Sequence, residues 1–166
     1  MSALAPEPAS PPRIFALIPC GGSGSRAGAG VPKQYRELAG QPMVMHTIAA
    51  FTAVQCIAGT CVVVAPLDRA LQAYAERADR SIAPFSIAYC ADSTRAKTVL
   101  NGLSALLDQG ADAADWVLVH DAARCLITPD QIKAVIEACC ADAVGGLLAL
   151  QLPDTLKQEA GGRARA

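Results

Sequence analysis

Residues 14–35 read IFALIPCGGSGSRAGAGVPKQY, a short apolar run that breaks into a glycine-rich loop. The apolar run predicts a buried strand. Glycines at positions 21, 22, 24 and 28 let the backbone take positive φ and turn its N–H groups toward an anion. Arg26 and Lys33 add two cations to the same loop. The segment therefore predicts a polyphosphate site at the end of the first strand, with a merely flexible strand-to-helix connection as the alternative.

Two common glycine motifs do not describe this loop. Residues 22–27 fit the G-x-G-x-x-A form of the dinucleotide fingerprint, which also requires an acidic residue at the end of the second strand. Here the apolar run at 61–65 leads into Pro66 and Leu67. A P-loop requires Gly-Lys-Ser/Thr, whereas Lys33 follows a proline and precedes a glutamine.

Composition favours one globular domain. The chain has 166 residues, of which 52% are hydrophobic, so there is enough apolar surface for a single core. The formal net charge of −1 argues against an extended surface for nucleic acid or anionic membrane. No apolar run reaches the 18 residues of a membrane span. Residues 1–12 are rich in Ala, Pro and Ser and are expected to form a disordered extension, not a signal peptide.

The cysteine pattern indicates a reducing compartment. There are seven cysteines, an odd number, and Cys139 is adjacent to Cys140. Several others lie in predicted strands or helices, which favours reduced, buried thiols and a cytoplasmic protein. No C-x-x-C pair is present, and His46 is far from His120 in sequence, so a structural zinc site is not expected.

Apolar runs alternate with helical patterns, which predicts an α/β domain with a parallel sheet covered on both faces. The predicted strands are 14–18, 61–65, 85–90, 116–120 and 145–150, and the predicted helices are 43–54, 67–78, 95–107 and 130–140. Thr128 and Pro129 are a typical pair for starting the last helix. Right-handed crossovers then bring the loops after each strand to one edge, where open α/β sheets bind ligands.

Polar side chains follow the later strands at this edge. Ser93, Thr94 and Thr98 supply hydroxyls near the start of a helix, where plain capping is an equal alternative. Asp121 ends the strand at 116–120, a usual place for a carboxylate that holds Mg²⁺ beside phosphates. The alternative is that Asp121 caps the next segment or pairs with Arg124. The edge as a whole predicts a nucleoside triphosphate and Mg²⁺ site.

The motifs that carry a specific resemblance are PCGGSGSRA (19–27), PKQY (32–35), RAKTVLNGL (95–103), VLVHDAAR (117–124) and PDTLK (153–157). In order and spacing they resemble the 2-C-methyl-D-erythritol 4-phosphate cytidylyltransferase family, over about residues 14–157. The resemblance implies a Rossmann-like, three-layer nucleotidyltransferase fold with a mainly parallel sheet. It also implies transfer of CMP from CTP to 2-C-methyl-D-erythritol 4-phosphate with Mg²⁺, and a homodimer completed by a projecting arm.

The resemblance assigns roles to residues of this chain. Arg26 and Lys33 match the catalytic cations on the CTP phosphates, and Asp121 matches the metal ligand. Five residues match positions that bind the nucleotide: Cys20, Gly21, Gly22, Ser93 and Thr98. Arg124 and Thr155 match positions that bind the sugar-phosphate substrate.

The chain departs from the family at three places. Ala91-Asp92 stands where the family has a glycine pair that reads cytosine, and Cys125 replaces a proline. Beyond Lys157 the family continues with the dimer arm and further site residues. We therefore expect a nucleotidyltransferase domain at 13–158 lacking its C-terminal part, an irregular tail at 159–166, weak nucleotide binding and little turnover. A cytidylyltransferase for ribitol 5-phosphate and a CTP-binding module without turnover are the alternatives.

Overall fold

The first strand, β1 (Ile14–Pro19), lies inside a four-stranded parallel sheet. The computed structural model describes residues 11–22, 30–77, 82–151 and 156–165. The other strands are β2 (Glu37–Leu38), β3 (Gln41–Pro42), β4 (Ile57–Val63), β5 (Ser86–Ala88), β6 (Trp116–Val119), β7 (Gln158–Ala160) and β8 (Arg163–Arg165). The helices are α1 (Met43–Thr52), α2 (Ala70–Arg77), α3 (Arg95–Asp108) and α4 (Pro129–Cys139).

The parallel sheet has the strand order β5-β4-β1-β6. Ile14 of β1 lies opposite Ile57 on one side and opposite Trp116 on the other. Because all four strands are parallel, their carboxyl ends lie at one edge of the sheet, as the alternation of elements predicts. The loops that begin at Cys20, Val64, Tyr89 and His120 therefore all leave the sheet at this edge.

The helices cover the two faces of the sheet according to the alternation along β1. Ala16 and Ile18 point to one face, where they pack with Ile48 of α1, Leu71 of α2 and Ile132 of α4. The intervening Leu17 points to the other face, where α3 packs. The fold is therefore the predicted three-layer α/β arrangement.

Helix α3 packs very close to the sheet because Gly102 has no side chain. A Cβ at this position would lie 2.6 Å from Cγ2 of Val63 and 2.7 Å from Cδ1 of Leu17. Thr94 caps the start of the helix, because its hydroxyl accepts from the Lys97 N–H at 3.2 Å. Thr98 is buried within the first turn of the same helix.

Helix α4 starts as its sequence predicts. The Thr128 hydroxyl accepts from the N–H of Gln131, and the Gln131 side chain accepts in return from the N–H of Thr128. Pro129 takes the first helical position, where its missing N–H costs nothing. No helix among the described residues is long and apolar enough to cross a membrane.

Two predictions for the last part of the chain are wrong. Residues 145–150 do not form a strand: Gly145 has φ +92°, and no described strand pairs with the segment that follows it. An extended segment becomes a strand only when its backbone groups pair with a neighbour. The expected irregular tail instead contains an antiparallel pair, β7 and β8, joined by Gly161 and Gly162 at positive φ.

The cysteines are all free thiols, but they are not all buried. Cys20 and Cys61 are buried, whereas Cys56 and Cys140 are exposed. The expected extension at 1–12 falls mostly outside the described residues. Two further predictions, the roles of Arg26 and Thr155, also lie outside them.

Candidate functional site

The glycine-rich loop leaves the sheet through a buried residue, Cys20. Its N–H donates to the carbonyl of Val63 at 2.7 Å, which continues the β1–β4 ladder by one step, and its side chain is 2% exposed. Burial raises the pKa of the Cys20 thiol from 9.0 to about 12, and the nearby Asp68 carboxylate acts in the same direction. Cys20 is therefore a protonated packing residue near neutral pH and not a nucleophile.

A partly buried chain of hydrogen bonds holds the far end of the same loop. Lys33–Tyr35 form one helical turn, and the Tyr35 hydroxyl donates to Oδ2 of Asp68 at 2.7 Å. The other oxygen of Asp68 accepts from the N–H of Ala70 at 2.8 Å at the start of α2. Burial raises the pKa of Tyr35 strongly, so its hydroxyl keeps the proton that it donates. This turn is thereby tied to a second helix.

Lys33 begins that turn with an exposed side chain. Among the described residues, no carboxylate forms an ion pair with it. Its charge is therefore available to an anion at the loop. Arg26, the other predicted cation, lies outside the described residues.

The loop after β5 contacts the glycine-rich loop directly. The N–H of Ala91 donates to the carbonyl of Val64 at 2.9 Å. A Cβ at Gly21 would overlap the methyl group of Ala91, so the two loops touch because position 21 is a glycine. Asn101 of α3, which the sequence analysis did not single out, donates from its side chain to the carbonyl of Cys90 at 2.8 Å. Asn101 lies in the NGL run of the helix, but its loop partner could not be inferred from spacing.

The predicted hydroxyls of this second loop have partners within it. The Thr98 hydroxyl accepts from the Asp92 N–H and donates to the Thr94 carbonyl, both at 3.0 Å. Ser93 donates its hydroxyl to Oδ1 of Asp92 at 2.8 Å, and this contact lowers the pKa of the Asp92 carboxyl. Both hydroxyls are therefore hydrogen-bonded within the turn that leads into α3, whereas the hydroxyl that caps the helix is that of Thr94.

Asp121 lies at the carboxyl end of β6 between two arginines. Its Oδ2 is 2.9 Å from Nε of Arg124, and its Oδ1 is 2.8 Å from Nε of Arg95. The pairing with Arg124 is the alternative that the sequence left open. The pairing of Asp121 with Arg95 was not predicted. The available signal was that Arg95 is the first residue of a helix, and that the loop before this helix reaches the same edge of the sheet.

The carboxylate of Asp121 is the kind of ligand that a divalent cation such as Mg²⁺ prefers. It is a hard oxygen ligand, its side chain is 32% exposed, and it lies at the edge where the loops converge. Both oxygens are engaged by guanidinium groups, so an Mg²⁺ ion held here would take one oxygen from an arginine. Asp121 would then supply one ligand, and phosphate oxygens and water the others.

Comparison with known proteins identifies the family. Residues 14–163 match the family model of 2-C-methyl-D-erythritol 4-phosphate cytidylyltransferase. The chain belongs to this family. The resemblance suggested by the sequence motifs is thus confirmed.

Named relatives show how much of the family's length is present. The chain is 61% identical to the bifunctional enzyme IspD/IspF of Albidiferax ferrireducens over 99% of this chain and 38% of that protein. It is 50% identical to the 2-C-methyl-D-erythritol 4-phosphate cytidylyltransferase of Paraburkholderia phymatum over 90% of this chain and 62% of that protein. The chain therefore spans less than two thirds of the length of these curated relatives.

A solved synthase structure has the same fold. The crystal structure of a 4-diphosphocytidyl-2C-methyl-D-erythritol synthase aligns with a TM-score of 0.76 and 32% identity. The alignment covers 93% of this chain and 67% of that one. The expected Rossmann-like, mainly parallel sheet is thus confirmed for the portion of the family that this chain contains.

Proposed function

We propose that this chain provides the CTP-binding part of a cytidylyltransferase that transfers CMP from CTP to 2-C-methyl-D-erythritol 4-phosphate. The products are 4-diphosphocytidyl-2-C-methyl-D-erythritol and pyrophosphate, in non-mevalonate isoprenoid biosynthesis. The observation that carries this proposal is the family match over residues 14–163. The exposed side chain of Lys33, which forms no ion pair with a carboxylate among the described residues, supports the same conclusion.

The proposed reaction needs charge neutralisation more than proton transfer. An oxygen of the acceptor phosphate forms a bond to the α-phosphorus of CTP, and the bond from that phosphorus to the β-phosphate oxygen breaks. Because the acceptor phosphate is already anionic near neutral pH, no strong general base is required. The site must instead offset repulsion between two anions and hold them in line.

Residues of this chain are assigned to these tasks. Lys33 and Arg26 stabilise the phosphates, and backbone groups of residues 20–22 face the nucleotide together with Ser93 and Thr98. Arg124 and Thr155 contact the sugar-phosphate substrate. When bound at Asp121, Mg²⁺ supplies charge to the phosphate oxygens.

The cluster at Asp121 supports a further part of this assignment. Arg95, Asp121 and Arg124 together carry a formal charge of +1, and the two arginine side chains are 60% and 76% exposed. An arginine released from Asp121 by a metal ion would stay near the edge of the sheet. The cluster therefore has the charge and the exposure needed to bind a phosphate.

We also assign the protein to the cytoplasm, as a homodimer that uses Mg²⁺. The seven free cysteines support a reducing compartment. The homodimer and the metal rest on the family resemblance.

Calorimetry with CTP, ATP and NADH, each with Mg²⁺, tests the nucleotide assignment. We expect CTP to bind more tightly than ATP or NADH and to raise Tm more, because a ligand of the native state stabilises it by mass action. Lys33→Ala should weaken CTP binding, whereas Lys133→Ala, an exposed lysine on α4, should not. Asp121→Asn should shift the Mg²⁺ dependence of binding. Equal affinity for CTP and ATP would contradict the proposal.

Pyrophosphate release tests the acceptor in a version of the protein that has the full length of its relatives. Turnover with 2-C-methyl-D-erythritol 4-phosphate supports the proposal. In that version, Lys33→Ala should lower kcat by about 10² to 10³, the usual effect of removing one preorganised charge at a developing oxyanion. Turnover with ribitol 5-phosphate in place of the methylerythritol substrate would overturn the choice of acceptor.

A further inference from the structure

A buried glutamine joins the two ends of the glycine-rich loop. Gln34 is 7% exposed, and its Nε2 donates to the carbonyl of Cys20 at 3.0 Å and to the carbonyl of Gly22 at 2.9 Å. These acceptors lie at the start of the loop, while Gln34 lies at its end. A single side-chain amide therefore fixes both ends relative to each other.

The contact with Cys20 also sets the direction of a backbone donor. The Cys20 carbonyl and the Gly21 N–H belong to one peptide group, and no peptide bond of the described residues is cis. In a trans peptide the carbonyl and the N–H point in opposite directions. Because the carbonyl faces Gln34, the N–H of Gly21 faces away from it. Among the described residues, no atom accepts a hydrogen bond from this N–H.

Hydrogen bonds of the neighbouring residues fix the backbone at Gln34. It lies in the helical turn closed by the Tyr35 N–H, which donates to the Pro32 carbonyl at 2.9 Å. The next residue, Tyr35, is 5% exposed and is hydrogen-bonded to Asp68. Lys33 directly precedes Gln34, so the contacts that orient the Gly21 peptide also fix the backbone that carries this lysine.

We propose that Gln34 is a positioning residue for polyphosphate binding: its amide holds the carbonyls of Cys20 and Gly22 so that the Gly21 N–H and the Lys33 side chain face the same anion. The inference rests on the proposed function, because it identifies the ligand of this loop as the phosphate chain of a nucleotide. Gln34 does not touch the ligand itself. It acts through the backbone that it orients.

Two variants and two controls separate positioning from plain stability. Gln34→Met keeps the approximate side-chain volume and removes both donors, and Gln34→Glu keeps the shape and places a carboxylate against two carbonyl oxygens. Gln109→Met makes the same change at an exposed glutamine near the opposite edge, where its Oε1 accepts from the Ser86 hydroxyl at 2.9 Å. Ile48→Val removes one methylene from the fully buried core and serves as a control for stability.

The probes are CTP, sodium tripolyphosphate and cytidine, each with Mg²⁺, and Kd is measured by calorimetry beside Tm. We expect Gln34→Met to weaken CTP and tripolyphosphate binding by about tenfold, the equivalent of one charge-assisted hydrogen bond. Cytidine, which has no phosphate, should bind as it does to the wild type, and neither control should change any Kd. Unchanged Kd values in Gln34→Met, or an equal loss in Ile48→Val at a similar Tm, would overturn the inference.

A measurement on the wild-type chain keeps the test valid if both Gln34 variants fail to fold. In ¹H–¹⁵N spectra, tripolyphosphate should shift the backbone amide resonance of Gly21 and leave the side-chain amide resonances of Gln34 in place. Absence of a shift at Gly21 would overturn the inference.

The outcomes distinguish the inference from the proposed function. If the wild type binds tripolyphosphate but does not prefer CTP to ATP, the proposed function fails while the role of Gln34 stands. If CTP is preferred and the Gln34 variants bind it normally, the inference alone fails. If the wild type binds neither probe, both fail.

Discussion

The pair of strands β1 and β4 and the segment 144–151 are both apolar in sequence, but their environments are opposite. Leu17, Ile18 and Val62 are completely buried, whereas Leu147 is 81% and Leu150 is 96% exposed. Strand β1 has a strand on each side and a helix layer on each face. Segment 144–151 pairs with no described strand. Apolar sequence is therefore not enough for burial, because both edges and faces of a strand need partners.

Strand β6 marks the boundary between these two regions. It pairs with β1 on one side, and no described strand pairs with its other side. A groove along this side is lined by Trp116, Val135 and Gly146, and Val119 at the end of the strand is 39% exposed. Substitutions in β1 and β4 should therefore affect stability more than substitutions in segment 144–151.

The largest expected difference is between two leucine substitutions. Leu17→Ala should lower the free energy of unfolding by about 2 to 5 kcal/mol, because it opens a cavity between β1 and α3. Leu147→Ala should change it by less than about 0.5 kcal/mol, since an exposed side chain loses few contacts. Urea unfolding followed by circular dichroism measures both. A similar loss in the two variants would show that segment 144–151 is buried in solution.

A second test concerns the close approach of α3 to the buried strands. Gly102→Ala should cost about 1 to 3 kcal/mol, because the new methyl group would displace Val63 or Leu17. Ser104→Ala on the exposed side of the same helix should be neutral or stabilise by up to about 0.5 kcal/mol through helix propensity. The same unfolding measurement applies. Gain of stability in Gly102→Ala would mean that the helix can move away from the sheet without cost.

The smallest expected effect is a loss of stability at alkaline pH from the buried thiol. The folded-state pKa of Cys20 is raised by burial from 9.0 to about 12, so its contribution is fully present below pH 9 and is lost between pH 9 and 12. At pH 10 the loss in the free energy of unfolding amounts to about 1 kcal/mol. Unfolding at a series of pH values should show a smaller alkaline decline in Cys20→Ala. The exposed Cys140→Ala is the control, and an equal decline in wild type and Cys20→Ala would contradict the assignment.

Local signals in the sequence predicted most of the first region. The apolar runs of β1 and β4 and the Thr128-Pro129 pair each depend on neighbouring residues. The structure confirms β1 and the start of α4, and it places the strand predicted at 61–65 at Ile57–Val63. The β2–β3 hairpin was missed because its turn places Ala39 at φ +48°, which a residue other than glycine rarely adopts. The strand predicted at 145–150 failed because pairing depends on a partner that periodicity does not reveal.

The candidate site was predictable in its position but not in its contacts. Loops at the carboxyl edge follow from the order of elements, and Lys33 and Asp121 lie at that edge. The second arginine on Asp121 and the amide of Gln34 were missed, because each joins residues from different loops or from the two ends of one loop. Arg13 and Asp115, which pair at 2.7 Å at the opposite edge, show the same limit. Residue type and spacing do not encode such distant pairs.

The inner position of β1 has a consequence for the order of events during synthesis. Its two neighbours are made later, β4 at residues 57–63 and β6 at residues 116–119. At about 5 to 20 residues per second, the first strand waits roughly 5 to 20 s after leaving the ribosome before its second edge can pair. During that time an apolar strand with an open edge is exposed to chaperones and to other nascent chains. Slowing translation between β4 and β6 should therefore lower the yield of folded protein.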